Sequence, residues 1–152
     1  MWLMPTVSTS YIWGCIPVYK DTVTLFNRTP DGRWLPTVLK GVNLNMDRAS
    51  IVARYGEKST DSAVLNVPYT GDYMVAGKPW KPPKQWTEDS ITFRSGNEFD
   101  FFWLGEWDGG IVDDRDYTGG FYQYMNKNHD FVFAVTGFTP FSVIPHFEVT
   151  GR

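Results

Sequence analysis

A chain of 152 residues has room for one domain around one core and is long enough to fold without disulfides or metal. A net charge of -3 gives no basic footprint for a phosphate backbone, which excludes ordinary tight nucleic-acid binding, and a single cysteine excludes an internal disulfide. Seven Trp, eight Tyr and eleven Phe, with ten Pro and fourteen Gly spread along the chain, favour short strands between turns, so the expectation is an all-β fold, a small barrel or sandwich with long irregular loops.

The first twenty residues are apolar and aromatic but interrupted by Pro5, Gly14 and Pro17, which fits neither a clean strand nor a helix and reads as an extended arm. Trp2, Tyr11 and Trp13 would be unfavourable in water, so they either fold back onto the body or dock on another subunit. Cys15, between Gly14 and Ile16, reads as a small hydrophobe and not as a nucleophile. The start lacks the basic region of a signal peptide, and no stretch reaches the ~18 apolar residues that span a bilayer.

Thr22 to Arg28, Thr29-Pro30-Asp31-Gly32 and Arg33 to Lys40 read as a hairpin, with Pro30 presetting φ and Gly32 supplying the left-handed position. A third run passes through Gly41, where Val42, Leu44 and Met46 alternate with Asn43 and Asn45. Ala49 to Gly56 and Ser62 to Pro68 are two further expected strands, which would make the order so far a meander. Tyr69 to Asp89 breaks the pattern with Pro79, Pro82, Pro83, Lys78, Lys81, Lys84, Trp80 and Trp86, and a Pro-rich segment of this length inside a domain usually has a function. Large aromatics on a stiff loop bury area at little entropic loss, so Trp80, Pro82, Pro83 and Trp86 are expected at a subunit or partner interface.

Strands resume at Ser90 to Arg94, turn at Ser95-Gly96-Asn97, and return over Phe99 to Gly105. Glu106 to Gly120 is a second irregular stretch, acidic and Gly-rich. Phe121 to Met125 and Asp130 to Gly137 read as strands around a polar turn, and Phe141 to Arg152 as the closing strand. Seven to nine strands and no helix are expected.

Glu98, Asp100, Glu106, Asp108, Asp113, Asp114 and Asp116 lie close together in sequence with Arg115 as the one cation among them. Such loops can bind calcium, and paired carboxylates can hydrolyse glycosides, but the spacing matches no known cation loop and a solvated acidic face is the simpler reading. His129 and His146 have no Cys or His neighbour at metal-ligand spacing, and no HExxH, GxSxG or phosphate loop is present. No catalytic residue, metal or cofactor is therefore expected. Trp80, Trp86, Trp103, Trp107, Tyr117 and Tyr122 could form a sugar-binding platform, but division between core and interface accounts for them more simply.

One ordered set of pieces stands apart: Val38-Leu39-Lys40-Gly41-Val42, then Ile91-Thr92-Phe93-Arg94-Ser95-Gly96-Asn97, Phe102-Trp103-Leu104-Gly105-Glu106, and Ile144-Pro145-His146-Phe147-Glu148-Val149-Thr150-Gly151. Over residues 22–152 this order resembles phage and prophage proteins encoded beside head-to-tail connector genes, although that group carries Gly-Asp where this chain has Gly96-Asn97. The resemblance implies a head-closure, or stopper, protein from the neck of a long-tailed phage, made in the host cytoplasm and carried in the virion. Such a protein would be a β-barrel subunit of a homo-oligomeric ring, hexamer or dodecamer, between portal or adaptor and tail proteins, passing DNA without sequence-specific binding and without a membrane partner. In that setting Asp108, Asp113, Asp114 and Asp116 would face the channel or the tail, since a weakly acidic lumen lets DNA slide. The alternatives are a tail-terminator or other neck or tail ring protein and, outside the neck, a carbohydrate-binding β-sandwich module.

Overall fold

A computed structural model describes residues 19–46 and 63–152. The strand expected over Ala49 to Gly56, Cys15, and the arm residues Trp2, Tyr11 and Trp13 lie outside the described residues.

The hairpin is found as β1 (Asp21–Arg28) and β2 (Arg33–Asn45). Gly32 at φ 88° closes the turn, and the Thr29 amide bonds the Arg33 carbonyl at 2.8 Å. β2 does not stop at Gly41 as expected. It runs on as one strand of 13 residues, because Gly41 takes φ 71° opposite an irregularity in the ladder between Asp21 and Thr22. A glycine bulge of this kind bends a strand without ending it, so the first part of β2 pairs with β1 and the last part with β3 (Ala63–Pro68).

β4 (Met74–Val75) and β5 (Lys78–Pro79) form a small separate ribbon. β6 (Phe101–Leu104), β7 (Val112–Asp113), β8 (Val132–Phe141) and β9 (His146–Gly151) complete the strands. The neighbours run β1, β6, β8, β9, β3, β2 and back to β1, every pair antiparallel, with β7 added beside the start of β2. The fold is thus all-β, a closed six-stranded barrel in which β1, β2 and β3 neighbour one another in chain order, as the expected meander has it, while β9 is inserted between β8 and β3. Closure leaves no long free edge among these six strands.

Alternation along the strands supplies two cores. Val23, Leu25, Leu39, Phe102, Val135, Phe147 and Val149 fill the barrel, while Phe26, Trp34, Phe101 and Val132, one residue out of phase, pack on its outside. That second core is covered by the segment expected to be a strand, which is instead a helix, α1 (Phe121–Asn128). The aromatic run Phe-Tyr-Gln-Tyr-Met favours strands by propensity, but Phe121 and Met125 stand four residues apart and both are fully buried on one helical face. Gly119 and Gly120 at φ 81° and 95° turn the chain into it.

Ser90 to Arg94, also expected as a strand, makes only one bridge, Ile91 to Trp80. Side chains take the place of a ladder there: the Asn27 amide donates to the Thr92 carbonyl at 2.8 Å, and Asp100 accepts from the Arg94 amide at 2.9 Å. No helix among the described residues is long and apolar enough to cross a membrane.

Phe147 is fully buried and touches the rings of Tyr69, Trp80, Phe93 and Phe138. Phe147→Ala should lower unfolding stability by about 3–5 kcal/mol through the lost transfer energy and the cavity left behind. Urea denaturation followed by Trp fluorescence would measure it, and a loss under about 1 kcal/mol would mean that the site collapses around the gap.

Candidate interaction surface

The turn between β8 and β9 is the most apolar exposed part of the described chain. Phe138 to Pro145 carries no charge, and at its tip Val143 is 95% exposed, Ile144 61% and Phe141 41%. A run of this kind would normally collapse onto the body. It is held away from it by its own bonds: Phe141 stacks on the His146 ring at 4.9 Å and 12°, and His146 Nδ1 lies 2.7 Å from the Ile144 carbonyl. From below, the Tyr69 hydroxyl donates to the Phe141 carbonyl at 2.8 Å, and the Tyr69 amide to Pro145 at 3.2 Å. Tyr69 also stacks against Tyr73, which with Met74 is exposed. The tip is therefore a pre-organised apolar knob, which loses little conformational freedom on docking.

The Pro- and Trp-rich loop is placed differently from the expectation. Trp80 is half-buried on the barrel's own core, with ring contacts to Tyr73, Phe138 and Phe147. The Trp86 indole donates to the Ser90 carbonyl at 2.9 Å and lies under the Arg94 guanidinium at 4.7 Å. Both rings are engaged within the subunit because Ile91 draws the loop back by bonding Pro79 and Lys81. Pro82 remains exposed, and Pro83 opens a short 3-10 turn, Pro83–Gln85.

The acidic stretch is divided in the same way. Asp108 and Asp116 are exposed, and Asp113 pairs with Arg115 at 2.7 Å. Asp114 turns inward: it accepts from the Trp34 indole at 2.7 Å and from the Phe121 amide at 2.8 Å, and pairs with Arg28 at 3.2 Å. The expectation that Asp114 faces a channel or a tail is corrected by these bonds, which make it the strut that joins β2 to the first turn of α1, where a negative group also suits the helix dipole. Among the described residues, no three His, Cys, Asp or Glu side chains gather as they would around a metal ion.

Sequence reasoning missed the knob, although Pro140 and Pro145 flanking the uncharged Phe141-Ser142-Val143-Ile144 were a signal for a turn that is not core. It also missed the inward role of Asp114, for which no local signal exists, since Arg28 and Trp34 are far from it in sequence.

The model of a family of unknown function, DUF6751, matches residues 18–152. The chain belongs to this family. The match takes in the whole barrel, α1 and the knob, and starts one residue before the described chain. No curated protein and no solved structure matches the chain.

Asp114→Ala would leave the buried Trp34 indole without its acceptor and α1 without its cap. A loss of about 2 kcal/mol is expected, with weaker helical circular dichroism. A normal urea midpoint would show that solvent replaces these bonds.

Arg115 holds the Asp113 carboxyl down from 3.8 to about 2 through hydrogen bonds and charge. A depressed carboxylate contributes stability that is present above its unfolded value and is lost as pH falls through the folded one. Wild type should therefore exceed Asp113→Asn in urea midpoint above about pH 4, and the two should converge toward about pH 2. A constant difference across that range would mean that the pair contributes nothing by charge.

Proposed function

We propose that this protein is a structural subunit of a phage neck, of the head-closure or stopper type, which assembles as a ring and joins the DNA-filled head to the tail. The observation that carries this reading is the β8–β9 knob: three large apolar side chains held in solvent by a stacked ring and a Tyr clamp. A subunit that works alone gains nothing from such a feature, whereas one that must meet a neighbour gains a contact that is already shaped.

Other features agree with a structural role. The charged groups that reach inward are used in holding the fold, since Asp100, Arg94, Arg28 and Asp114 bond one another and backbone amides. The exposed acids Asp108 and Asp116, with the net charge of -3, suit a lumen along which DNA slides without tight phosphate contacts. The knob, being uncharged, would then contact the neighbouring tail or neck protein.

The test is a double change at the knob, Val143→Asp with Ile144→Asp. Both side chains are exposed, so the subunit should keep its stability to within about 0.5 kcal/mol. Wild-type protein should be found by mass spectrometry in purified tailed particles, and the variant should be missing from them. Absence of the wild-type protein from such particles, or incorporation of the variant at the wild-type level, would overturn the proposal.

A further inference from the structure

The β8–β9 turn projects beyond the last pairing of β3 with β9, that of Pro68 with His146, so no third strand lies beside residues 141–145. Two strands alone are marginal in water. Among the described residues, two hydrogen bonds reach this turn from outside β8 and β9, and both come from Tyr69. They act on opposite legs. The Tyr69 amide donates to the Pro145 carbonyl at 3.2 Å, one step past Pro68, and so continues the β3–β9 ladder. The Tyr69 hydroxyl reaches the other leg and donates to the Phe141 carbonyl at 2.8 Å, a bond that no ladder supplies.

The ring that carries this hydroxyl is fixed from the core. Its centroid lies 4.9 Å from that of Phe147, which is fully buried, and 4.9 Å from that of Tyr73. Tyr73 is itself held, with its backbone at φ 61° and its carbonyl accepting from the Trp80 amide at 2.8 Å. The bond to Phe141 has something to oppose. Tyr73 and Met74, in the turn that follows Tyr69, are exposed, as are Val143 and Ile144 at the tip, and apolar surfaces left in water gain by meeting one another. A tip without its strut would fold down toward Tyr73 and Met74 and present no knob.

We infer that Tyr69 is the positioning residue of the docking surface: its hydroxyl, acting through the Phe141 carbonyl, keeps Phe141, Val143 and Ile144 presented to the partner. Apolar area alone does not make the knob. The inference deepens the neck proposal and rests on it only for the identity of the partner. Since the bond is exposed and has the net strength of one neutral hydrogen bond, its loss should weaken docking by about two- to tenfold and not abolish it.

Tyr69→Phe in the full-length chain is the test, because it removes the donor to Phe141 and keeps both ring contacts and the amide bond to Pro145. Tyr73→Phe, which removes the hydroxyl of the neighbouring ring, is the control. In the isolated subunit, backbone order parameters of Ser142, Val143 and Ile144 from nitrogen relaxation should fall in Tyr69→Phe from about 0.85, the value of rigid backbone, to below about 0.6. Tyr73→Phe should leave them as in wild type. In purified tailed particles, Tyr69→Phe should be present at about a half to a tenth of the wild-type amount. Unchanged order at the tip would overturn the inference, as would an equal fall in Tyr73→Phe or incorporation of Tyr69→Phe at the wild-type level. Absence of wild type from the particles is a separate failure: the neck reading would fall, and the order parameters alone would then decide the role of Tyr69.

Discussion

The barrel depends on one buried carboxylate. Asp100 is fully buried and accepts from the Arg28 amide at 3.0 Å and the Arg94 amide at 2.9 Å. Arg94 grips it with Nε at 3.0 Å and Nη2 at 2.7 Å, and the same Nη2 donates to the Arg28 carbonyl. Burial pushes the Asp100 carboxyl up, while the Arg94 guanidinium and the two amides act against that rise. A buried carboxylate without such partners would cost several kcal/mol. Here the bonds do structural work as well: the backbone of Asp100 accepts from the Val135 amide at 2.9 Å, so one residue ties the end of β1, the Arg94 to Asp100 loop and the middle of β8.

That tie explains how a short β6 can close the wall. With only Phe101–Leu104 in strand form, β6 offers few ladder bonds, and β8 must leave it for β9 after Val135. Arg94 and Asp100 hold the chain at the point of departure, and Gly137 and Gly151 let β8 and β9 cross closely. A Cβ on Gly151 would meet Phe102 and Phe133 at 3.0 Å, so the packing there has no room for a larger residue. The outcome is a trough beside β8 and, beyond it, a projecting β8–β9 turn that Tyr69 clamps.

Much of this could be read from the sequence because local chemistry and final structure agreed. The Thr29 to Gly32 turn, the alternating strands on either side and the closing strand from His146 all carry their signals within a few residues. Legibility failed where a distant group decides. Phe121 to Met125 has the composition of a strand but is a helix, since Asp114 caps it and the Phe26 and Phe101 rings lie beneath its Phe121 face. Trp80 and Trp86 looked available for partners because nothing nearby in sequence shows that Phe147 and Arg94 occupy them. The acidic stretch looked like one field of charge, but its members separate into a surface pair, an internal strut and solvated groups.

In the proposed assembly the knob and the acidic surface would place opposite demands, and the ranges of the two forces decide between them. Exposed carboxylates on neighbouring copies repel over about 8 Å at physiological salt, a weak and screened force. Apolar contact at Val143 and Ile144 acts only on touching, and two or three side chains bury far less than the ~1,600 Å² of a standard stable interface. One knob alone is thus too small to hold two free subunits together against that repulsion. In the proposed ring on a preassembled neighbour, a copy that docks by its knob would also touch the copies docked beside it, so the knob would not have to hold it alone. A small, rigid and uncharged knob on an acidic barrel accordingly suits a subunit that stays separate in solution and joins only where a template presents several matching sites.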